Sequence, residues 1–154
     1  MQITDEKGVW EVGGNVRYLI SGTETELWKQ ESQQLPTLSE IQQRKILELN
    51  TGCNQDILNG FPSSCTGVEH QYNFDLEYQA NMNQRATMFL LKPTMTETWW
   101  PTKDMGVLTH TREQFVQLCE DADKIKDAKI LRYFGMKAQV EACKEIADVE
   151  AIAW

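Results

Sequence analysis

Leu38, Ile41, Ile46, Leu49, Cys53 and Ile57 recur at helical spacing. This pattern puts an apolar stripe along one face of a helix over 38–59, and such a stripe has to be covered by something else. Thr37 or Ser39 can supply the N-cap, and Gly60 stands where a left-handed C′ residue is expected. Glu40 and Arg44 are four apart, in the favourable order for an exposed pair. Gly52 costs about 1 kcal/mol relative to alanine and marks a candidate kink. Two more runs share the period. Asp75 should cap a helix over 76–91 whose inner side carries Leu76, Gln79, Met82 or Asn83, Ala86, and Phe89 or Leu90, with Pro93 ending it. Thr111 and Gln114 form a capping-box pattern opening a helix over 112–145. Phe115, Leu118, Ala122 and Ile125 give that helix its apolar face, which drifts through Leu131, Phe134, Ala138 and Val140, with Gly135 as a second candidate kink. Asp148 is expected to cap a last short turn ending at Ile152 and Trp154.

Short period-two runs separate these helices. Trp10 and Val12 alternate with Glu11, Gly13-Gly14 offers a turn, and Val16, Tyr18 and Ile20 return, so 9–20 reads as a hairpin. Val68, His70 and Tyr72 share one face of an extended segment within 61–74. Residues 96–110 read as a second hairpin, with Trp99 and Trp100 on its first arm and a turn at Lys103–Gly106; Pro101 restricts that arm to a sheet edge. The expected fold is therefore α+β: two or three principal helices packed with short antiparallel β-hairpins.

Composition narrows the partners. The 154 residues are 41% hydrophobic and 25% charged, enough to bury a core and fitting one domain plus a short arm. The net charge is −8, and no third of the chain is basic. Nucleic acid and anionic membrane surfaces both ask for a basic face, so neither is an expected partner. No apolar run is long enough to span a bilayer, and no signal peptide is visible. Four cysteines stand at 53, 65, 119 and 143. In one continuous helix Cys119 and Cys143 would lie about 36 Å apart, beyond disulfide reach. Cys53 and Cys65 are near enough in sequence to meet, but there is no CxxC pattern, and reduced thiols are the expectation.

Catalytic patterns are sparse. Walker A, GxGxxG, HExxH and GxSxG motifs are absent from the sequence. Cys65, His70 and His110 are the right residue types for zinc at a non-standard spacing. Cys65 with His70 is formally a nucleophile–base pair, but nothing nearby would lower a thiol pKa. Glu24/Glu26 and Asp121/Asp123 read as solvated carboxylates rather than an acid–base pair. His70 is expected to be satisfied by a backbone partner and His110 to be exposed. The expectation is no catalysis, no metal and no cofactor.

Five tryptophans remain, at 10, 28, 99, 100 and 154. A strand sends Trp99 and Trp100 to opposite sides. Either one faces another molecule, or helices on both sides bury the pair. Stacking of a sugar on a tryptophan is a third use, and it requires a groove.

Arg44-Lys-Ile-Leu-Glu-Leu-Asn50, Cys53-Asn54, Ile57, Gly60-Phe61, Ser63-Ser64, Gly67, His70-Gln-Tyr72, Phe74-Asp75 and Gln79-Ala-Asn81 follow one another in a cadence continued by the tryptophan hairpin, Thr111–Phe115 and the terminal Val-Glu-Ala-Ile-Ala-Trp. Over about 40–154 this order resembles a domain-of-unknown-function family found in tail-fibre and baseplate proteins of tailed bacteriophages. The resemblance implies a non-enzymatic virion component of the phage tail, assembled in the bacterial cytoplasm and working through contacts with other tail proteins or with itself. A tail-fibre assembly chaperone is the alternative. That family brings no catalytic residues with it. Residues 1–35 lie outside the resemblance as an N-terminal hairpin arm preceding a domain over 36–154. A hairpin alone is marginal in water. Trp10, Val12, Tyr18 and Trp28 would therefore be the partner-binding anchors of an attachment arm, or the arm folds back over 38–59.

Overall fold

The computed structural model describes residues 35–154 in full and, before them, the backbone of 2–5, 8–13 and 16–22. The chain divides into two compact units, Met1–Glu40 and Ile41–Trp154. In the first, strands β1 (Gln2–Asp5), β2 (Gly8–Gly13) and β3 (Val16–Gly22) form an antiparallel sheet in the order β1-β2-β3. Gly13 pairs with Val16, which places it in the strand rather than in the turn, and β1 is a strand that the alternation pattern did not announce. The side chains of Trp10, Val12 and Tyr18, and all of Trp28, lie outside the described residues.

Helix α1 (Leu38–Leu58) opens on Thr37 rather than Ser39. The Thr37 amide donates to a Glu40 carboxylate oxygen at 2.7 Å, and the Glu40 amide donates back to the threonine hydroxyl at 3.3 Å. The Thr37 amide, and the Thr37 hydroxyl donating to the same carboxylate at 2.9 Å, hold the Glu40 carboxyl below its ordinary pKa. Ile41, Leu49, Cys53 and Ile57 are buried at helical intervals, and Gly60 ends the element with φ +98°. Gly52 does not interrupt α1. A side chain there would collide with Trp154, so the glycine makes room for an indole.

Strands β4 (Phe61–Ser63) and β5 (His70–Tyr72) form a small antiparallel pair, with Phe61 opposite Tyr72. Only part of the Val68–His70–Tyr72 face is inward: Tyr72 is fully buried, while Val68 is exposed. Asp75 accepts from the Tyr78 amide at 3.0 Å and caps α2 (Leu76–Leu91). Met82 and Phe89 are its buried residues, whereas Leu76 and Leu90 point to solvent, so the inner stripe runs through the second choice at neither position. The hairpin β6 (Glu97–Thr102) and β7 (Gly106–Thr111) closes over the three residues 103–105. Gly106 begins β7 with φ +74°, and the Thr102 hydroxyl spans the turn by donating to the Gly106 carbonyl at 2.9 Å.

The predicted capping box is present at Thr111 and Gln114, and α3 runs unbroken over Arg112–Ala142. Its first half buries Phe115, Leu118 and Ala122; beyond them Leu131 and Phe134 are exposed and Val140 is buried again. The short α4 (Ile146–Ala151) starts at Glu145, with Asp148 inside its first turn rather than at the cap. Cys53, Phe61, Tyr72, Phe74, Met82, Phe89, Trp100, Phe115 and Leu118 share one hydrophobic core drawn from both small sheets and all three long helices. The fold is α+β.

Candidate functional site

Strand alternation sets the site. Along β6 the inward positions are Thr98, Trp100 and Thr102 and the outward ones include Trp99. Trp100 is 4% exposed and packs edge-on against Phe115, ring centroids 5.3 Å apart, and against Tyr78 at 6.2 Å. Trp99 is 58% exposed, so of the two arrangements open to the pair, one tryptophan anchors the hairpin and the other faces out.

Beside Trp99 lies a groove of about 560 Å³ between α2 and β6. One wall is Trp99, Trp100 and Pro101; the other is the α2 face carrying Glu77, Asn81 and Gln84 at intervals of four and three. Arg85 sits on the same face with its guanidinium 5.5 Å from the Trp99 ring centroid, within reach of a cation–π contact that orients the indole. Trp100 contributes an indole N–H that has no hydrogen-bond partner among the described residues. A buried donor without an acceptor costs about 1–3 kcal/mol.

The histidines and the half-buried Cys65 are engaged elsewhere. His110 is fully buried, against the expectation of exposure, because β7 turns its side chain under the β4–β5 sheet. Its Nδ1 lies 3.1 Å from the Leu108 carbonyl, which can only accept, so Nδ1 carries the proton. Nε2 then accepts from the Tyr72 hydroxyl at 3.0 Å, and the Tyr72 oxygen accepts from the Cys65 thiol at 3.4 Å. Burial holds the His110 pKa below its ordinary value, with the Leu108 bond opposing. It raises that of Tyr72, assisted by the Cys65 bond. Cys119 is pushed up to about 11, again chiefly by burial. These shifts keep imidazole, phenol and that thiol neutral, the reverse of what a cysteine nucleophile requires. His70 pairs with the Asp104 carboxylate at 2.9 Å rather than with a backbone group, and this bond is the main cause of a lowered Asp104 pKa. Cys65 and His70 thus have different partners. Asp121 accepts from Ser63 at 2.5 Å and from Gln117 at 2.8 Å, as a structural acceptor. All four cysteines are free. Among the described residues no group of three or more His, Cys, Asp or Glu could hold a metal ion, and no helix is long and apolar enough to cross a membrane.

Sequence reading singled out the Trp99–Trp100 pair without saying which ring faces out, and gave Asn81, Gln84 and Arg85 no role in a site. The available signal was a polar stripe at 77, 81, 84 and 85 on α2, which looks like an ordinary solvated face until the hairpin is set beside it.

Residues 40–153 match the family model described as a domain of unknown function, DUF4376. No curated protein and no solved structure matches the chain.

Proposed function

The chain belongs to the DUF4376 family, and from that premise we propose that it is a non-enzymatic structural component of a bacteriophage tail, associated with the baseplate or fibre and resident in the virion. It works through protein–protein contacts with other tail subunits. The observation that carries this reading is the division of the chain. The matched segment 40–153 coincides with the compact unit Ile41–Trp154, while the three-stranded sheet of 2–22 belongs to the other unit. A small sheet joined to a self-contained domain is the form an attachment element takes, since three strands have edges and a face to offer to another chain. Trp10, Val12, Tyr18 and Trp28 are the proposed anchors of the arm over 1–35. The mutually bonded Cys65, Tyr72 and His110 support a role without catalysis.

Purified tails of the phage that encodes the protein test this reading. The full chain should be present in stoichiometric amount, and a variant lacking residues 1–35 should stay folded yet be missing from tails. Capture with the fibre during assembly, followed by absence from finished tails, would point instead to an assembly chaperone. Normal incorporation of the shortened chain would end the attachment role of the arm.

A further inference from the structure

Three features of the groove between α2 and β6 together restrict what it can hold. Its size falls within the roughly 300–1,000 Å³ range of small-molecule sites. Its helical wall presents a carboxylate, two carboxamides and a guanidinium, from Glu77, Asn81, Gln84 and Arg85, all planar groups with paired donors or acceptors. Its strand wall presents the face of one exposed indole, Trp99, steadied by Arg85.

We propose that this groove binds a neutral carbohydrate. A sugar ring has a face of C–H bonds and a rim of hydroxyls. The C–H face stacks on an electron-rich indole, and adjacent hydroxyls, each both donor and acceptor, match planar side chains that offer two polar atoms side by side. Asn81 and Gln84 are suited to such a rim because each carries a donor and an acceptor and neither carries charge. The charged groups argue against ionic ligands. Glu77 and Arg85 bring one charge of each sign to the same wall, and the guanidinium is placed over the Trp99 ring. An anion would meet one cation with an acid on the same wall, and a cation the reverse. A purely apolar guest would leave the amides and Glu77 without partners, at a cost. The site lies wholly within Ile41–Trp154 and goes beyond the tail role, so it is tested on the purified full chain without reference to tails.

Amide resonances of the labelled full-length protein are followed while maltose, lactose, cellobiose or the N-acetylglucosamine disaccharide is added to millimolar concentration. The expected result is saturable shifts from at least one of them, confined to 77–88 and 99–101. Trp99→Ala removes an exposed side chain, so the fold is retained, and it should weaken that binding tenfold or more, equivalent to about 1.4 kcal/mol. Asn81→Ala should weaken it as well, leaving the Trp99 environment unchanged in the free protein. Silence from all four sugars overturns the proposal, as does binding that Trp99→Ala leaves intact. Shifts of the same resonances by a proline-rich decapeptide, with the sugars silent, would make the groove a peptide site and overturn it equally.

Discussion

At Gly60 the backbone φ is +98°, and a Cβ added there would run into the Tyr72 carbonyl oxygen. Strain and steric conflict act together, and the obstacle is backbone that cannot swing aside. Gly135 is a glycine of the opposite kind, helical and with nothing within 4 Å of an added Cβ. Gly60→Ala is therefore expected to destabilise by about 1–3 kcal/mol, and Gly135→Ala to stabilise by about 0.5–1 kcal/mol. Urea denaturation of the two variants beside the parent protein checks both signs. Equal midpoints would show that neither argument holds. Gly60 could be read from sequence because it follows a helical stripe at the C′ position. Gly52 could not. Its meaning is the indole of Trp154, itself under the Arg132 guanidinium at 4.4 Å, and no local pattern says that residue 52 of a chain faces residue 154.

The helices share a device that periodicity does not reveal. None of the three long ones carries a basic residue in its last turn, where cations normally meet the free carbonyls. Each receives its donor from elsewhere. Lys103, in the β6–β7 turn, donates to the Asn59 carbonyl just beyond α1. Gln42, from α1, donates to the Val140 and Cys143 carbonyls at 2.9 and 3.2 Å, at the end of α3. Arg112, at the start of α3, donates to Phe89 of α2 at 2.6 Å and to Met95 at 3.3 Å, with its guanidinium 5.4 Å from the Phe89 ring centroid. The elements themselves were legible because amphipathic period, Asp75 and the Thr111–Gln114 box are local signals. What joins one element to another acts over long separations and stays hidden. Arg112→Ala is expected to cost about 1–3 kcal/mol, since half-buried carbonyls lose a charged donor. Arg112→Lys should recover only part of it, because an ammonium cannot bond several carbonyls in one plane while stacking on a ring. Thermal melts of the two variants measure this, and full rescue by lysine would show that charge alone suffices.

Across the whole molecule, the sequence conveyed the class of fold more readily than the site. The groove depends on the pairing of a helix face with an outward tryptophan, and alternation could place Trp99 and Trp100 on opposite sides without saying which side was core. His110 was read as exposed because it precedes a helix cap; in fact β7 carries it beneath Tyr72, where its side chain is fully buried. That position has a consequence for the stability of the molecule. Burial depresses the His110 pKa in the folded state, whereas in the unfolded chain an imidazole returns to about 6.5. Below that pH the unfolded state binds a proton that the folded state refuses, so stability falls as pH falls. For one such proton the slope is at most about 1.4 kcal/mol per pH unit. The carboxyls of Asp104 and Glu40, held low by their hydrogen bonds, act in a more acidic window. Their contribution is present above the unfolded carboxylate pKa of about 4 and is lost as pH falls through the folded one. Urea midpoints should therefore fall from about pH 7 to about pH 5 on account of the histidine, before these carboxyls contribute. His110→Gln retains one donor for Leu108 and one acceptor for Tyr72 but does not titrate. Its midpoint at pH 7 should be lower, from imperfect packing, while its slope between pH 7 and pH 5 should be visibly shallower than the parent's. A slope unchanged by His110→Gln would mean that this histidine does not couple protonation to folding.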